Sequence, residues 1–389
     1  MDKVVYLDNN ATTQVASEVF AAMKPFLTEE YGNPSSMHTF GGKIKKNIDA
    51  SRQTVCDLLS ANDPSEIVFT SCGTESDNTA IMSTLRSYPE KKHIITTKVE
   101  HPAILSLCKY LENLGYRLTY LDVDEDGLLD LNELKSAIDY DTAIISIMHA
   151  NNETGVIFPI EEIAEIARMR NVVFHTDAVQ SVGKIPFRLN EIPIDLLSLS
   201  GHKLHAPKGV GALYVRKGTK FSPFLIGGHQ ELNRRGGTEN VASIVGLGVA
   251  AQLAKKNFDD ENTRVRKLRD KLENAIVEKI PNVRVNGNKD SRLPNTSNIG
   301  FEFIEGESIL LKLDEKGVAA SSGSACTSGS LMPSHVLRAM GIPFTFIQGS
   351  IRFSLSCYNR EEEINYVIEQ LPGIIKGLRE ISPFTNKKS

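Results

Sequence analysis

Short apolar, β-branched runs alternate with longer amphipathic stretches through the first two thirds of the chain. Apolar residues recur at helical spacing in four stretches, which predicts helices at 15–27, 44–59, 104–114 and 160–168. Between these lie runs typical of buried strands, at 67–70, 93–97, 143–148, 172–175, 194–200 and 211–215. This alternation predicts an α/β fold with a mostly parallel sheet covered by helices on both faces.

The last third of the chain has a different pattern. A charged helix is predicted at about 259–279, followed by strand-like pieces at 297–303 and 351–356 and a final helix near 361–378. These elements predict a smaller α+β domain. We therefore assign 15–257 to a large domain, and 1–14 with 258–389 to a small domain that carries a Ser/Gly-rich loop at 321–332.

Composition excludes some classes of partner. The 389 residues carry a net charge of −4 and the basic doublets are scattered, which argues against a nucleic-acid or membrane binder. The N-terminus lacks the apolar core of a signal peptide, and the longest apolar-rich stretch, 241–254, is too short to span a bilayer. The five cysteines form no C-x-x-C pair, which points to a reducing cytoplasm.

Three segments that directly follow predicted strands carry candidate chemistry. The turn at 71–76 is rich in small residues and leads into a helix, so it suits either a phosphate group or a simple helix cap. Asp177 follows the strand at 172–175, where a carboxylate could keep a pyridinium nitrogen protonated or cap a helix. Lys203 follows the apolar run at 194–200, and a lysine there is costly unless it is paired or used as a nucleophile.

Together and in this order, the three segments resemble the fold-type I pyridoxal-phosphate enzymes of the aspartate aminotransferase superfamily. This resemblance implies a large domain with a seven-stranded sheet. Further motifs are similar to those of the cysteine desulfurases, at 6–13, 31–36, 99–103, 150–155, 234–240 and 321–329. Cys326 in a short Ser/Gly loop resembles the NifS/IscS class. The sequences at 104–108 and 202–209 are most similar to those of the NifS-like branch.

The resemblance implies roles for individual residues. Lys203 would attach pyridoxal 5′-phosphate, Asp177 would pair with its ring nitrogen, and His101 would stack on the ring and move protons. Cys326, Lys203 and His101 are the residues implied to be catalytic. The other residues implied to bind the cofactor are Gly73, Thr74, Asn152, Gln180, Ser200, His202 and Thr238 of the partner subunit, so a homodimer is expected. Those implied to bind the substrate are Asn33, Asn152 and Arg352.

The same resemblance implies a reaction and its partners. L-cysteine would be converted to L-alanine, and Cys326 would receive the sulfur as a persulfide. The sulfur would pass to an iron–sulfur scaffold protein that is NifU-like or IscU-like. The similarity to the NifS-like branch favours a NifU-like scaffold and a role in nitrogen fixation. No metal is expected in the free enzyme, although Cys326 could contact a nascent cluster on the scaffold.

The sequence also allows other functions. A housekeeping IscS-like desulfurase would share the chemistry, and a selenocysteine lyase would share the scaffold. A non-catalytic partner protein would have to retain Lys203, Asp177, His101, Arg352 and Cys326 without using them. Cys357, close to Arg352 in sequence, is either a second thiol near the site or a half-buried strand cysteine.

One motif points away from this chemistry. Asp122, Asp124, Asp126 and Gly127, followed by Glu133, satisfy the EF-hand calcium pattern. An EF-hand needs a helix that runs into the loop, whereas the sequence before Asp122 predicts a strand. We therefore interpret the segment as a connection, with Asp130 as the cap of the next helix.

Overall fold

The computed structural model describes residues 4–322 and 333–383, so Cys326 and most of the loop at 321–332 lie outside the described residues. The strands are Val5–Tyr6 (β1), Ile67–Thr70 (β2), His93–Thr97 (β3), Arg117–Leu121 (β4), Thr142–Ser146 (β5), Val173–Asp177 (β6), Leu196–Ser200 (β7), Gly211–Val215 (β8), Val283–Val285 (β9), Thr296–Phe301 (β10), Val318–Ala319 (β11) and Ser350–Ser354 (β12). The helices are Ser17–Thr28 (α1), Thr39–Gly42 (α2), Lys45–Leu59 (α3), Gly73–Ser87 (α4), Pro102–Asn113 (α5), Leu131–Ala137 (α6), Ile160–Met169 (α7), Gln230–Asn233 (α8), Val241–Asp260 (α9), Arg266–Lys279 (α10), Gly306–Asp314 (α11), His335–Ala339 (α12), Phe344–Gln348 (α13) and Glu361–Ile381 (α14).

A seven-stranded sheet forms the centre of the molecule, in the order β2-β8-β7-β6-β5-β3-β4. The pairs among β3, β4, β5, β6 and β7 are parallel, and β8 is antiparallel to both β2 and β7. The predicted α/β class and mostly parallel sheet are therefore confirmed. The carboxyl ends of the parallel strands meet at one edge of the sheet, which is where ligands bind in folds of this kind.

Apolar side chains from this sheet enter two separate clusters. One cluster, which includes Phe174 and Leu197, is covered by helices α1, α3, α7 and α9. The other, which includes Ile94 and Ile144, is covered by helices α4 and α5. Strands that are buried on both faces have mostly apolar sequences, and for this reason these strands could be predicted.

A second core lies apart from the seven-stranded sheet. It joins Val5 and Leu7 to apolar residues of α10, α11, α14 and the antiparallel sheet β12-β10-β9. The first residues of the chain reach this core because β1 pairs with β11 in parallel. The division into a domain of 15–257 and a domain of 1–14 with 258–389 stays a prediction.

The long helix of the last third differs from its prediction. A helix was expected from about residue 259, but α9 begins at Val241 and leads through a π-helical segment, Glu261–Val265, into α10. The first part of α9 carries small and apolar residues on most of its faces, because it is buried against α1 and α3. This pattern lacks the amphipathic stripe by which a surface helix is recognised.

A buried ion pair joins α10 to the segment before β10. Arg292 donates two hydrogen bonds to Glu273, of 2.7 and 3.0 Å, and the Ser297 hydroxyl donates a third to the same carboxylate. Burial alone would raise the pKa of Glu273, but the hydrogen bonds and the charge of Arg292 lower it overall. The carboxylate is therefore charged and depends on Arg292.

We expect Arg292→Ala to lower the free energy of unfolding by about 3–5 kcal/mol, because it leaves a buried carboxylate unpaired. The matched control is Arg168→Ala, which breaks the exposed pair with Glu165 and should cost about 0.5 kcal/mol or less. Because the folded-state pKa of Glu273 is lowered, its stabilising contribution is present above the unfolded pKa and lost as pH falls through the folded pKa. We therefore expect the free energies of unfolding of the native protein and of Arg292→Ala, measured in urea, to converge as the pH is lowered from 7. An equal loss for both variants at pH 7 would contradict this account.

The calcium-like segment is preceded by strand β4 rather than by a helix, as predicted. Asp122 pairs with Lys98, and the Asp130 carboxylate accepts a hydrogen bond from the backbone N–H of Asn132 at the start of α6. The predicted helix cap is therefore confirmed. Separately, among the described residues no helix has both the length and the apolar run needed to cross a membrane.

Candidate active site

A cavity of about 230 Å³ lies at the carboxyl ends of β6 and β7. The structure brings to its walls most of the residues that the sequence predicted for the site: Gly73, Thr74, His101, Asn152, Asp177, Gln180, Ser200, His202, Lys203 and Arg352. They come from six separate stretches of the chain, so the cavity exists only in the folded protein.

One end of the cavity is formed by the first turn of α4. Helix N-terminal turns leave backbone N–H groups without intrahelical partners, and this turn opens on Gly73 and Thr74 at the cavity wall. A Cβ on Gly73 would lie 2.9 Å from a Val179 methyl carbon, so only glycine fits this close approach. The Ser200 hydroxyl faces the same cavity, is buried, and has no hydrogen-bond partner among the described residues. This end suits a phosphate group.

Asp177 is the last residue of β6 and also lines the cavity. Its carboxylate accepts a hydrogen bond of 2.9 Å from the backbone N–H of Val179, so it also caps the turn that follows. Burial raises the pKa of Asp177 to about 6, against the lowering effects of the Val179 hydrogen bond and of Lys203. A cationic ring nitrogen placed here would keep the carboxylate ionised.

Lys203 comes three residues after the end of β7. Its Nζ donates hydrogen bonds to the backbone carbonyls of Asn10 and Ala11, at 2.5 and 2.6 Å. The Gln180 amide also donates to the Asn10 carbonyl, while Gln180 Oε1 is buried and has no partner within the described residues. The N-terminal segment therefore holds the lysine at the cavity wall.

The two histidines of the cavity are neutral near pH 7. Burial, followed by the charge of Lys203, lowers the pKa of each to about 4. His101 Nδ1 accepts a hydrogen bond from the backbone N–H of Ala103, so the proton of its neutral ring lies on Nε2. In this geometry His101 is a hydrogen-bond donor and a flat surface for stacking.

Arg352 provides the strongest positive charge at the cavity wall. Its guanidinium donates to the Asp8 carboxylate at 2.8 Å and to the Asn152 carbonyl at 3.0 Å. These bonds fix the side chain on β12, which is buried, and aim the guanidinium at the cavity. An arginine held in this way suits a carboxylate, with which it can form two parallel charge-assisted bonds.

These features together fit pyridoxal phosphate. The helix N-terminus and Ser200 suit its phosphate, Asp177 suits its ring nitrogen, and Lys203 lines the same cavity. The unpartnered oxygens of Ser200 and Gln180 both line the cavity. Buried polar atoms are rarely left unpaired, so a polar ligand is expected to complete them.

Two of the predicted site residues are not brought to this cavity. Asn33 and Thr238 are exposed and are not among the described residues that line it. Cys326 lies outside the described residues. Their roles stay predictions.

Cys357 does not face the cavity lined by Arg352. It lies beyond the end of β12 and lines a separate space of about 40 Å³ together with Lys184 and Glu261. Burial, together with the charges of Glu261 and Asp260, raises the pKa of its thiol to about 12. Cys357 is therefore protonated at neutral pH and is a poor nucleophile.

Three residues of the site were missed by sequence reasoning. Asp8 holds Arg352, and Asn10 accepts the hydrogen bonds of Lys203 and Gln180. Asp77 lies on α4 and lines the cavity beside Asp177. The motif at 6–13 was the available signal for the first two, but their contacts are too distant in sequence to read from it.

The comparisons with known proteins agree with this site. The class-V aminotransferase family matches residues 5–367 of the chain. The chain therefore belongs to the class-V aminotransferase family.

Two relatives that are similar over nearly the whole chain are named cysteine desulfurases. The chain is 59% identical to cysteine desulfurase 2 of Trichormus variabilis, over 99% of this chain and 96% of the relative. It is also 59% identical to the cysteine desulfurase NifS of Azotobacter vinelandii, over 98% and 94% of the two chains. A solved structure of a NifS-like protein superimposes with a TM-score of 0.91 at 39% identity, over 96% of this chain and 100% of that one.

Proposed function

We propose that this chain is a pyridoxal-phosphate-dependent cysteine desulfurase that converts L-cysteine to L-alanine and accepts the sulfur on Cys326. The observation that carries the proposal is the cavity, which combines a lysine, a phosphate-binding helix end, a strand-end carboxylate and a buried arginine. The full-length similarity to proteins named cysteine desulfurase supports the choice of reaction.

The chain's own residues would hold the cofactor. Thr74, Ser200 and His202 would bind the phosphate at the N-terminus of α4. Asp177 would bind the ring nitrogen, Gln180 the phenolic oxygen, and Lys203 would attach the cofactor. When bound, pyridoxal phosphate supplies a protonated ring that stores the electron pair left by removal of the substrate's α-proton.

The remaining cavity residues bind and orient the substrate. Arg352, with Asn152, holds the carboxylate of L-cysteine and so fixes which bond at the α-carbon faces Lys203. Once the substrate's amine has released it from the cofactor, the Lys203 amine would take the α-proton and later return a proton to the product. The neutral His101 ring would stack on the cofactor and offer its Nε2 proton as a hydrogen-bond donor.

Sulfur transfer is assigned to Cys326. Cys326 loses its proton and attacks the substrate sulfur as a thiolate, the bond between that sulfur and the β-carbon breaks, and the electron pair and one proton go to the β-carbon. The products are a persulfide on Cys326 and L-alanine, so one thiol is consumed and one persulfide is formed. Cys357 is unsuited to this step because its thiol remains protonated.

The proposal includes partners and a compartment. A homodimer would place Thr238 of the partner subunit at the phosphate, and exposed apolar residues nearby in sequence support an interface there. Ile226 is 81% exposed and Leu232 is 65% exposed. An iron–sulfur scaffold protein would receive the sulfur. The sequence similarity to NifS-like proteins favours a NifU-like scaffold. The free thiols of Cys56, Cys72, Cys108 and Cys357 support a reducing cytoplasm.

The test is alanine release from L-cysteine in the presence of a reductant, for the native protein and Cys326→Ser. We expect the variant to lose about a thousandfold or more of the rate, because it lacks the proposed sulfur acceptor. It should keep the yellow colour of the bound cofactor.

Cys357→Ser is the matched control, and it should stay within about threefold of the native rate, because its thiol is not used. If Cys326→Ser released alanine as fast as the native protein, Cys326 would not be the acceptor. A lyase that needs no persulfide, such as a selenocysteine lyase, would then be the better description.

A further inference from the structure

A second carboxyl group lies in the cavity beside Asp177. Asp77 is on α4, one helical turn after Gly73 and Thr74, and therefore faces the same side of the helix. Its side chain is buried and lines the cavity together with Asp177. One of its oxygens, Oδ1, has no hydrogen-bond partner within the described residues.

The surroundings of Asp77 hold no compensating charge. The nearest basic group is His175 on β6, with Nε2 at 3.7 Å from Oδ1. Burial lowers the pKa of His175 to about 3, so this ring is neutral, and its nitrogens are already engaged with Ser146 and Ser198. The other titratable groups that act on Asp77 are Asp177, Glu100 and Cys72, and each of them opposes a negative charge.

Asp177 is better placed than Asp77 to carry a charge. It accepts the backbone N–H of Val179, and the positive charge of Lys203 favours its ionised form. Two carboxyl groups in one low-dielectric space do not both ionise easily, and the better-compensated group ionises first. The burial and charged neighbours of Asp77 raise its pKa well above the usual value, in agreement with this order.

We propose that Asp77 is a positioning residue that stays protonated at neutral pH and, as a neutral hydrogen-bonding group, leaves the single negative charge at this end of the cavity on Asp177. The role of that charge toward the ring nitrogen rests on the proposed function. The protonation of Asp77 does not, because it follows from the folded chain alone.

Infrared spectroscopy of the cofactor-free protein tests the protonation. We expect a carbonyl band of a protonated carboxyl group at pH 7 that shifts on carbon-13 labelling of aspartate and disappears in Asp77→Asn. Burial raises the pKa of Glu100 to about 8, so Glu100 contributes its own band, which the aspartate label does not shift. Absence at pH 7 of an aspartate band that depends on Asp77 would overturn the proposal.

Cofactor affinity tests the positioning role by comparing two variants of Asp77. Asp77→Leu should weaken binding of pyridoxal phosphate by about tenfold or more, because it removes a buried polar partner of the site. Asp77→Asn should restore the affinity to within about threefold of native, because an amide is also neutral and can donate. Equal weakening by both variants would show that a charged Asp77 is required and would overturn the proposal.

The two measurements also separate this inference from the proposed function. If either variant fails to fold, the labelled aspartate band of the native protein between pH 5 and 8 still decides whether a buried aspartate stays protonated. A band that persists while the native protein releases no alanine would reject the proposed function and keep the protonated Asp77. Alanine release without any such band would keep the proposed function and reject the protonated Asp77.

Discussion

Replacing Lys203 with alanine is expected to abolish alanine production from L-cysteine, by at least about a thousandfold, because the variant loses the group that moves the substrate's α-proton. Lys203 is fixed at the cavity wall by the carbonyls of Asn10 and Ala11, so no neighbouring amine can take its place without moving the chain. The variant should also lose covalent attachment of the cofactor. Borohydride reduction followed by mass measurement should therefore add the cofactor to the native chain but not to Lys203→Ala.

Lys208→Ala provides the matched control for this prediction. Lys208 is exposed and five residues further along, so its loss removes a positive charge near the site without touching the cavity wall. It should retain both the covalent attachment and turnover to within about threefold. Covalent attachment that survives in Lys203→Ala and is lost in Lys208→Ala would contradict the assignment of the lysine.

Replacing Arg352 with alanine is the second large effect that we expect. Two charge-assisted hydrogen bonds to the substrate carboxylate would be lost, which should raise KM for L-cysteine by about a hundredfold or more. Because these bonds also orient the α-carbon toward Lys203, kcat should fall as well, but by less than KM rises. Steady-state kinetics over a wide range of L-cysteine concentrations separates the two parameters.

Arg352→Lys refines this test. It keeps the positive charge but loses the planar fork, so KM should rise by about tenfold, between the native and the alanine values. Absorbance of the bound cofactor is the control for an intact site. A large fall in kcat at unchanged KM in both variants would contradict a role in binding the carboxylate.

Much of the fold could be predicted because the central strands are buried on both faces. The strands at 67–70, 93–97 and 211–215 appear at the predicted residues, and every residue in them is buried. The first half of α9 was not predicted as a helix, because its small and apolar residues show no single stripe. At α8, Glu231, Leu232 and Asn233 all adopt positive φ angles, which is common for Asn but not for Glu or Leu.

The site was predictable where function follows a strand directly. Asp177, Lys203 and the turn before Gly73 could be placed because each comes just after a strand, at the same edge of a parallel sheet. The supporting contacts could not be placed, because Asp8 meets Arg352 across 344 residues of chain. Asp77 was missed for a different reason: a single carboxylate inside a helix is usually exposed, and only packing against the sheet buries this one.

The central claim is that sulfur leaves L-cysteine and stays on Cys326. It is tested most directly by mass spectrometry of the peptides after one equivalent of L-cysteine is added to the native enzyme without reductant. The account predicts the mass of one additional sulfur atom on the peptide that contains Cys326, in step with the alanine formed. Alanine formed without added sulfur on that peptide, or with the sulfur on Cys72 or Cys357, would contradict it.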